Sequence, residues 1–329
     1  MVFALVLTLA PVIIHAQIPP TPSTTPRPPA DIPLARLKAD ATVAVALAPG
    51  SIESDDAVWV PNRVAGTVVR VDAKDNSLGA PIAVGAEPCA SLVVAFDNVW
   101  VPLCGGSIAR ADVKTMTVAE PVAIKVADGD GRIATAVGSV WAITDRKGVL
   151  SRIDPDTNKS VAEIYVAAGA TAVVFGENAL WITSETGPST PLRAGRLTRV
   201  NPHNNEIVEV IEVGPQPGRV AVGEGGVWTL NRGNGSVSRV DPATNKVVAT
   251  IPAGAGVTGG EIAAGAGSVW ISAPGVPLIR IDPRTNRAVQ RFTGDGGGAV
   301  LVAHGSIWIA AGPQITWRLD PVLVSAMRP

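Results

Sequence analysis

Three charged residues share one recurring position in this sequence. Arg132, Arg219 and Glu261 each stand nine residues before a tryptophan (Trp141, Trp228 and Trp270), and the same position elsewhere holds Ser91, Ala172 and Ala299. Gly50 is an approximate match before Trp59, where the spacing carries an indel. Four residues after the tryptophans stand Arg63, Cys104, Asp145, Glu185, Arg232, Pro274 and Gly312. The chemistry on offer is charge. Arg132 and Arg219 can hold a carboxylate or phosphate in bidentate fashion, and Glu261, Asp145 and Glu185 can act as bases or metal ligands. The competing reading is a solvated rim on which Arg219 and Glu261 simply neutralise one another. Ser91, Arg63 and Arg232 complete the candidate ligand-binding set. No G-x-S-x-G, H-E-x-x-H or phosphate-loop motif supplies a catalytic centre.

Cys89 lies 11 residues before Trp100 and Cys104 lies 4 after it. Those positions open the first strand and close the second of one unit, so they are antiparallel neighbours, and a Cys89–Cys104 disulfide is expected. A two-cysteine metal site has no histidine or third cysteine in register beside it, so no metal site is assigned.

The elements that position these residues come from a repeat. Aligned on the dipeptides V-W, L-W and I-W, the tryptophans Trp59, Trp100, Trp141, Trp181, Trp228, Trp270 and Trp308 are spaced 41, 41, 40, 47, 42 and 38 residues apart. A second ladder follows 10 or 11 residues after each: Arg70, Arg110, Arg152, Arg239, Arg280 and Arg318, with Arg199 at 18. Within a unit the pattern has period two. "EIAAGAGSVWIS" reads as two short strands around a Gly turn, "PLIRID" as a third and "RAVQRFT" as a fourth, joined by the turn "DPRTN". Asp and Pro suit such a turn, and its Asn tolerates left-handed backbone; one carboxylate per turn is too few for a calcium cage. Seven units of four strands predict an all-β fold, a seven-bladed propeller of four-stranded antiparallel blades. Each tryptophan is expected to fill the space between blades. The last unit ends before a clear fourth strand, so "ATVAVALAP", Ala41 to Pro49, is expected to close the ring from the N-terminal side. The shorter tail "VLVSAM" is the competitor. Unit four carries its extra residues in "TSETGPSTPLRAGR", Thr183 to Arg196, a long loop on the same face as the charged positions.

The opening "MVFALVLTLAPVIIHAQ" reads as a signal peptide over residues 1–16, too short and too broken by Pro11 to span a membrane. A Pro-rich linker, 17–40, and the propeller, 41–329, follow. The mature chain is therefore expected in the periplasm or outside the cell, as a monomer with no integral membrane span. A net charge of −1 with no block of like charges argues against nucleic acid.

"VWVPN…GTVVRVD", "GGVWTLNRGNGSVSRVDPATNKVVATI" and "GSVWISAPGVPLIRIDPRTN" resemble the YVTN-type and streptogramin-lyase-like (virginiamycin B lyase-like) repeats of exported bacterial propellers. The resemblance covers residues 41–320. It implies that ligand sites lie on the face reached by the loops entering strand one and leaving strand two, and in the central funnel. It also implies, for the lyases, a histidine acid/base and a magnesium ion near a glutamate. His15 falls in the signal peptide, and His203 and His304 map to the opposite face. The leading reading is thus an exported binding or scaffold propeller that engages a protein, peptide or small ligand at its funnel face, with no cofactor. The alternative is a metal-dependent lyase or lactonase using Glu261 or Glu185 with a divalent metal. A quinone-cofactor propeller is suggested by the tryptophan repeats alone.

Overall fold

The computed structural model describes residues 29–328 apart from 90, 105, 128–131, 186, 188–191 and 255; the expected signal peptide and the first part of the Pro-rich stretch lie outside the described residues. Seven sheets are present among the described residues, and five of them run wholly in chain order from an inner to an outer strand; the sixth and seventh each gain an outer strand from the N-terminal segment. Blade three is representative: Ile133–Ala136, Ser139–Asp145, Val149–Asp154 and Lys159–Tyr165 pair antiparallel in sequence. Blade two keeps three regular strands, Val93–Ala95, Asn98–Pro102 and Ile108–Asp112. Its outer edge is reduced to the bridges Ile108 with Val122 and Ala111 with Val118, where Pro121 has no N–H to give a ladder.

The ring closes through blade seven. Ala41–Val43 pairs antiparallel with Thr316–Arg318, so the N-terminal segment supplies the outer strand of the last blade. Thr316 secures the join: its Oγ1 accepts from Leu47 N–H (3.0 Å) and donates to Val45 O (2.6 Å). The tail forms a short helix, Pro321–Ala326, capped by Asp320, whose carboxylate accepts from Val322 N–H. Gln290 of blade six holds this helix by donating to Val324 O and Met327 O, each at 2.8 Å.

The end of the stretch expected to be a spacer is part of the domain. Asp31–Pro33 adds to blade six as a fifth strand, parallel to Arg291–Thr293, with Ile32 fully buried and Asp31 paired to Arg291 at 3.1 Å. Pro33 is tolerated because the added strand is an edge, where a missing N–H interrupts nothing.

All seven register tryptophans are at most 1% exposed and pack into the next blade; Trp228, for example, lies against Val269 and Ile281 of blade six. A buried indole needs a partner for its N–H. In six blades Nε1 donates to the carbonyl five residues earlier at 2.9–3.2 Å, and Trp59 donates instead to Ser54 Oγ.

The arginine ladder is the second fastener. Arg199 stands 5.1 Å over the ring of Trp181 and donates from Nη1 to Pro242 O and Asn245 Oδ1, both in the strand three-to-four turn of the next blade, at 2.7 Å each. Arg110, Arg152, Arg239 and Arg318 repeat this clamp on Asn158, Asn205, Asn286 and Asn76. Each of these asparagines has a φ between 54° and 62°, the left-handed region where Asn is favoured. Two arginines lack the clamp. Arg70 faces a blade-two turn with Met116 in place of Asn, and pairs with Asp56 and Asp72 instead. Arg280 faces blade seven, which has no such turn, and bonds Ser268 and Gln290.

Candidate functional site

The inner strands begin around a central channel, and the position nine residues before each tryptophan falls at its mouth. Ser91, Arg132, Ala172, Arg219, Glu261 and the Gly50 backbone line one hollow of about 170 Å³. Arg132, Arg219 and Glu261 are all buried, at 9%, 6% and 8% exposure. They come from blades three, five and six, yet they meet. Arg132 Nη2 donates to Glu261 Oε2 at 2.9 Å, Arg219 Nε lies 3.5 Å from the same oxygen, and Gly50 N–H donates to it at 3.2 Å. The other oxygen, Oε1, accepts from the N–H of Ile262 at 3.4 Å. Arg219 is further braced by donating from Nη1 to Gly218 O at 2.8 Å. The walls between the charges are apolar, from Leu92, Ile133, Val300 and Leu301.

Ser91 lines the hollow with its hydroxyl already committed: Oγ accepts from Ile133 N–H at 3.1 Å and ties blade two to blade three. The positions four residues after the tryptophans lie farther out and do not join the central cluster. Arg63 forms an exposed pair with Glu87 at 3.6 Å beside a hollow of about 530 Å³. Asp145 is exposed and caps its own turn by accepting from Lys147 N–H at 2.8 Å. Glu185 and Arg232 form a bidentate pair on one carboxylate oxygen between blades four and five, with Arg232 Nε at 3.2 Å. That pair borders a hollow of about 500 Å³ lined also by Arg146, Ser184 and Arg196. Part of the long loop Thr183 to Arg196 lies outside the described residues.

Cys89 and Cys104 are joined in a disulfide, with their Cα atoms 5.1 Å apart. The Gly50 N–H contact is a feature of the site that sequence alignment could not supply, because the indel before Trp59 makes the register there only approximate. The pairing of Glu185 with Arg232 also had no sequence signal beyond their shared position in the repeat.

The site does not fit a divalent cation. Glu261 Oε2 is surrounded by two guanidinium groups and an amide N–H, donors that suit an anion and repel a metal ion. Glu185 is likewise taken by Arg232. Among the described residues no cluster of three His, Cys, Asp or Glu side chains is placed to hold a metal. Of the described histidines, neither reaches the funnel. His203 is exposed in the turn that ends strand three of blade four. His304 sits in the strand one-to-two turn of blade seven, its ring nitrogen 3.2 Å from Ala57 O.

No protein-family model matches the chain, and no curated protein sequence matches it. Solved structures do share the fold. A streptogramin B lyase aligns with a TM-score of 0.67 at 16% identity, covering 83% of this chain and 93% of that one. A catalytically inactive histidine-to-alanine variant of virginiamycin B lyase from Staphylococcus aureus, solved with quinupristin, aligns with a TM-score of 0.65 at 17% identity, covering 84% and 95%. BamB from Moraxella catarrhalis aligns with a TM-score of 0.58 at 12% identity, covering 82% and 81%. At these identities the likeness establishes the propeller architecture.

Proposed function

We propose that this chain is an exported binding propeller that holds an anionic group of its ligand at the mouth of the central channel. One observation carries the reading: Arg132, Arg219 and Glu261, from three separate blades, are buried together at a single point of the funnel. Burying charge costs free energy unless the geometry serves an interaction, and two guanidinium groups facing one chamber favour an anion. The disulfide accords with an oxidising compartment outside the cytoplasm.

A lyase reading has the fold likeness in its favour and the side chains against it. The virginiamycin B lyase variant described as inactive has lost a histidine, and here both described histidines sit at turns away from the funnel. The test of the binding reading is direct. Partners retained by the purified chain are compared with those retained by the combined Arg132→Ala, Arg219→Ala and Glu261→Ala variant, after far-UV circular dichroism confirms that both are folded. Loss of the partner supports a funnel site; undiminished retention removes this face from consideration.

A further inference from the structure

Glu261 presents its carboxylate to the protein's own anion-binding donors. Arg132 Nη2 and Gly50 N–H donate to the single oxygen Oε2, and the Arg219 guanidinium, from a third part of the chain, pairs with it, Nε at 3.5 Å. Two hydrogen-bond donors and a second guanidinium gathered on one oxygen form an oxyanion cradle, and here an internal side chain fills it. The bonds that keep Glu261 itself in place on the other side are slight: Oε1 has the 3.4 Å contact to its own neighbour's N–H.

We infer that Glu261 is a built-in competitor: its carboxylate occupies the place that a carboxylate of a bound peptide takes by displacing it. This deepens the funnel reading above and rests on it. The hollow limits what can enter. At about 170 Å³ it is smaller than the roughly 300–1,000 Å³ of pockets that enclose whole small ligands. Its volume corresponds to about five or six waters at ~30 Å³ each. Only an end group fits, with the rest of the ligand outside along the funnel, which is how a peptide's terminal or side-chain carboxylate enters. Exchange of one carboxylate for another leaves the charge of the cradle unchanged, whereas a phosphate of nearly two charges does not. The apolar walls from Leu92, Ile133, Val300 and Leu301 suit the hydrocarbon next to a carboxylate.

The sign of one substitution separates this role from its rivals. Glu261→Gln keeps the shape and removes the competing charge. Isothermal titration calorimetry of the full chain uses four probes: tri-alanine with a free carboxylate, its C-terminal amide, acetyl-Ala-Glu-Ala-amide with only a side-chain carboxylate, and inorganic phosphate. The expected result is that Glu261→Gln binds one or both carboxylate peptides about tenfold to a hundredfold more tightly than the wild type, the range one charge-assisted hydrogen bond spans. Tri-alaninamide and phosphate gain nothing, and which carboxylate peptide gains more identifies a chain end or a side chain as the source. If Glu261→Gln binds equally or more weakly while Arg219→Ala abolishes binding, the competitor role is overturned and the funnel reading stands. If the arginine substitution is without effect on peptide binding, both fail. If Glu261→Gln binds no carboxylate probe, or binds phosphate in preference, the inference is overturned while partner retention still judges the funnel. Glu261→Asp, which withdraws the carboxylate by one methylene but keeps its charge, gives the same direction should the Gln variant not fold. A second readout follows from linkage: the carboxylate peptide should raise the melting temperature of Glu261→Gln more than that of the wild type.

Discussion

Replacing Arg199 with Ala removes one of the five clamps between blades, and the structure sets the size of the loss. Arg199 donates to Pro242 O and Asn245 Oδ1 at 2.7 Å each and stands 5.1 Å over Trp181. Hydrogen bonds from a charged donor contribute roughly 1.5–3 kcal/mol each, and the stacking adds ~0.5–1 kcal/mol. Both bonds leave one nitrogen, and the variant no longer bears the ~2 kcal/mol of rotamer entropy that ordering the arginine side chain costs. The net loss is therefore about 3 kcal/mol. Arg70 is the internal comparator, the same ladder position without a clamp. It pairs with Asp56, whose side chain is 72% exposed, and such pairs contribute ~0–1 kcal/mol. Arg70→Ala should thus cost about 2 kcal/mol less than Arg199→Ala. Urea unfolding followed by tryptophan fluorescence and by far-UV circular dichroism measures both, with coincident transitions required before the midpoints are converted to energies. Asn245→Gly removes the acceptor while keeping the left-handed backbone unstrained. Paired with Arg199→Ala in a double-mutant cycle, it should show a coupling of about 1–2 kcal/mol. Equal losses for Arg70→Ala and Arg199→Ala, or a coupling near zero, would refute the clamp as a fastener and leave the arginines as mere cover for the tryptophans.

Three further predictions follow from the same frame. Arg152, Arg280 and Arg318 donate from Nε to Ser139, Ser268 and Ser306, but Arg199 Nε is buried without a partner where blade four has Ala179, so Ala179→Ser should raise stability by ~1 kcal/mol in urea. Cys89→Ala with Cys104→Ala opens a loop of 15 residues and should cost ~3 kcal/mol, a loss that reductant reproduces in the wild type and not in the variant. Asp72, Asp112, Asp154 and Asp241 accept backbone N–H groups, chiefly of Lys74, Thr115, Thr157 and Ala243, which hold their carboxyls below the usual range. Their contribution is present above the unfolded value of about 3.9 and lost as pH falls through the lower folded values. The melting temperature should accordingly decline below about pH 4 on their account, and Asp241→Asn, which copies Asn201 of blade four, should remove one share of that decline.

Much of this architecture was legible because it repeats. The tryptophan spacing marked the blades, and the shortfall after Arg318 pointed to Ala41–Pro49 as the missing strand, of which Ala41–Val43 pairs. The position of Arg132, Arg219 and Glu261 was legible too, since a fixed offset from a buried tryptophan is a fixed radius and height in the ring. What escaped the sequence depends on geometry between units rather than within them. Asp31–Pro33 reads as spacer because it ends a Pro-rich stretch, with Pro28 and Pro29 before it and Pro33 within it; only the open outer edge of blade six makes room for it. The clamp of Arg199 on Asn245 joins residues 46 apart, and nothing in either residue's own unit names its partner. Gly50 contributes a backbone N–H, which no residue type advertises.

The places where the ring departs from its own pattern differ in what they imply. Met116 in blade two and the missing turn in blade seven each remove one clamp, and each has a local replacement: Asp56 and Asp72 for Arg70, Ser268 and Gln290 for Arg280. Those departures accommodate themselves within the frame. The channel mouth is different. Ala172 and Ala299 occupy the same ring position as the charged residues and are buried, at 3% and 1% exposure, so a blade folds there with a methyl group alone. The frame therefore has no need of charge at this radius, and a buried pair replaced by apolar side chains is often neutral or stabilising. Blades four and seven fold with alanine at the position of Arg132, Arg219 and Glu261, which accords with the proposed funnel role for these three charges. On that reasoning, Arg132→Ala, Arg219→Ala and Glu261→Ala combined should be less destabilising than Glu261→Ala alone, because the single variant removes the carboxylate that sits between two buried guanidinium groups and leaves their mutual repulsion in place, whereas the triple variant removes all three charges. A triple variant less stable than the single one would return these residues to the frame.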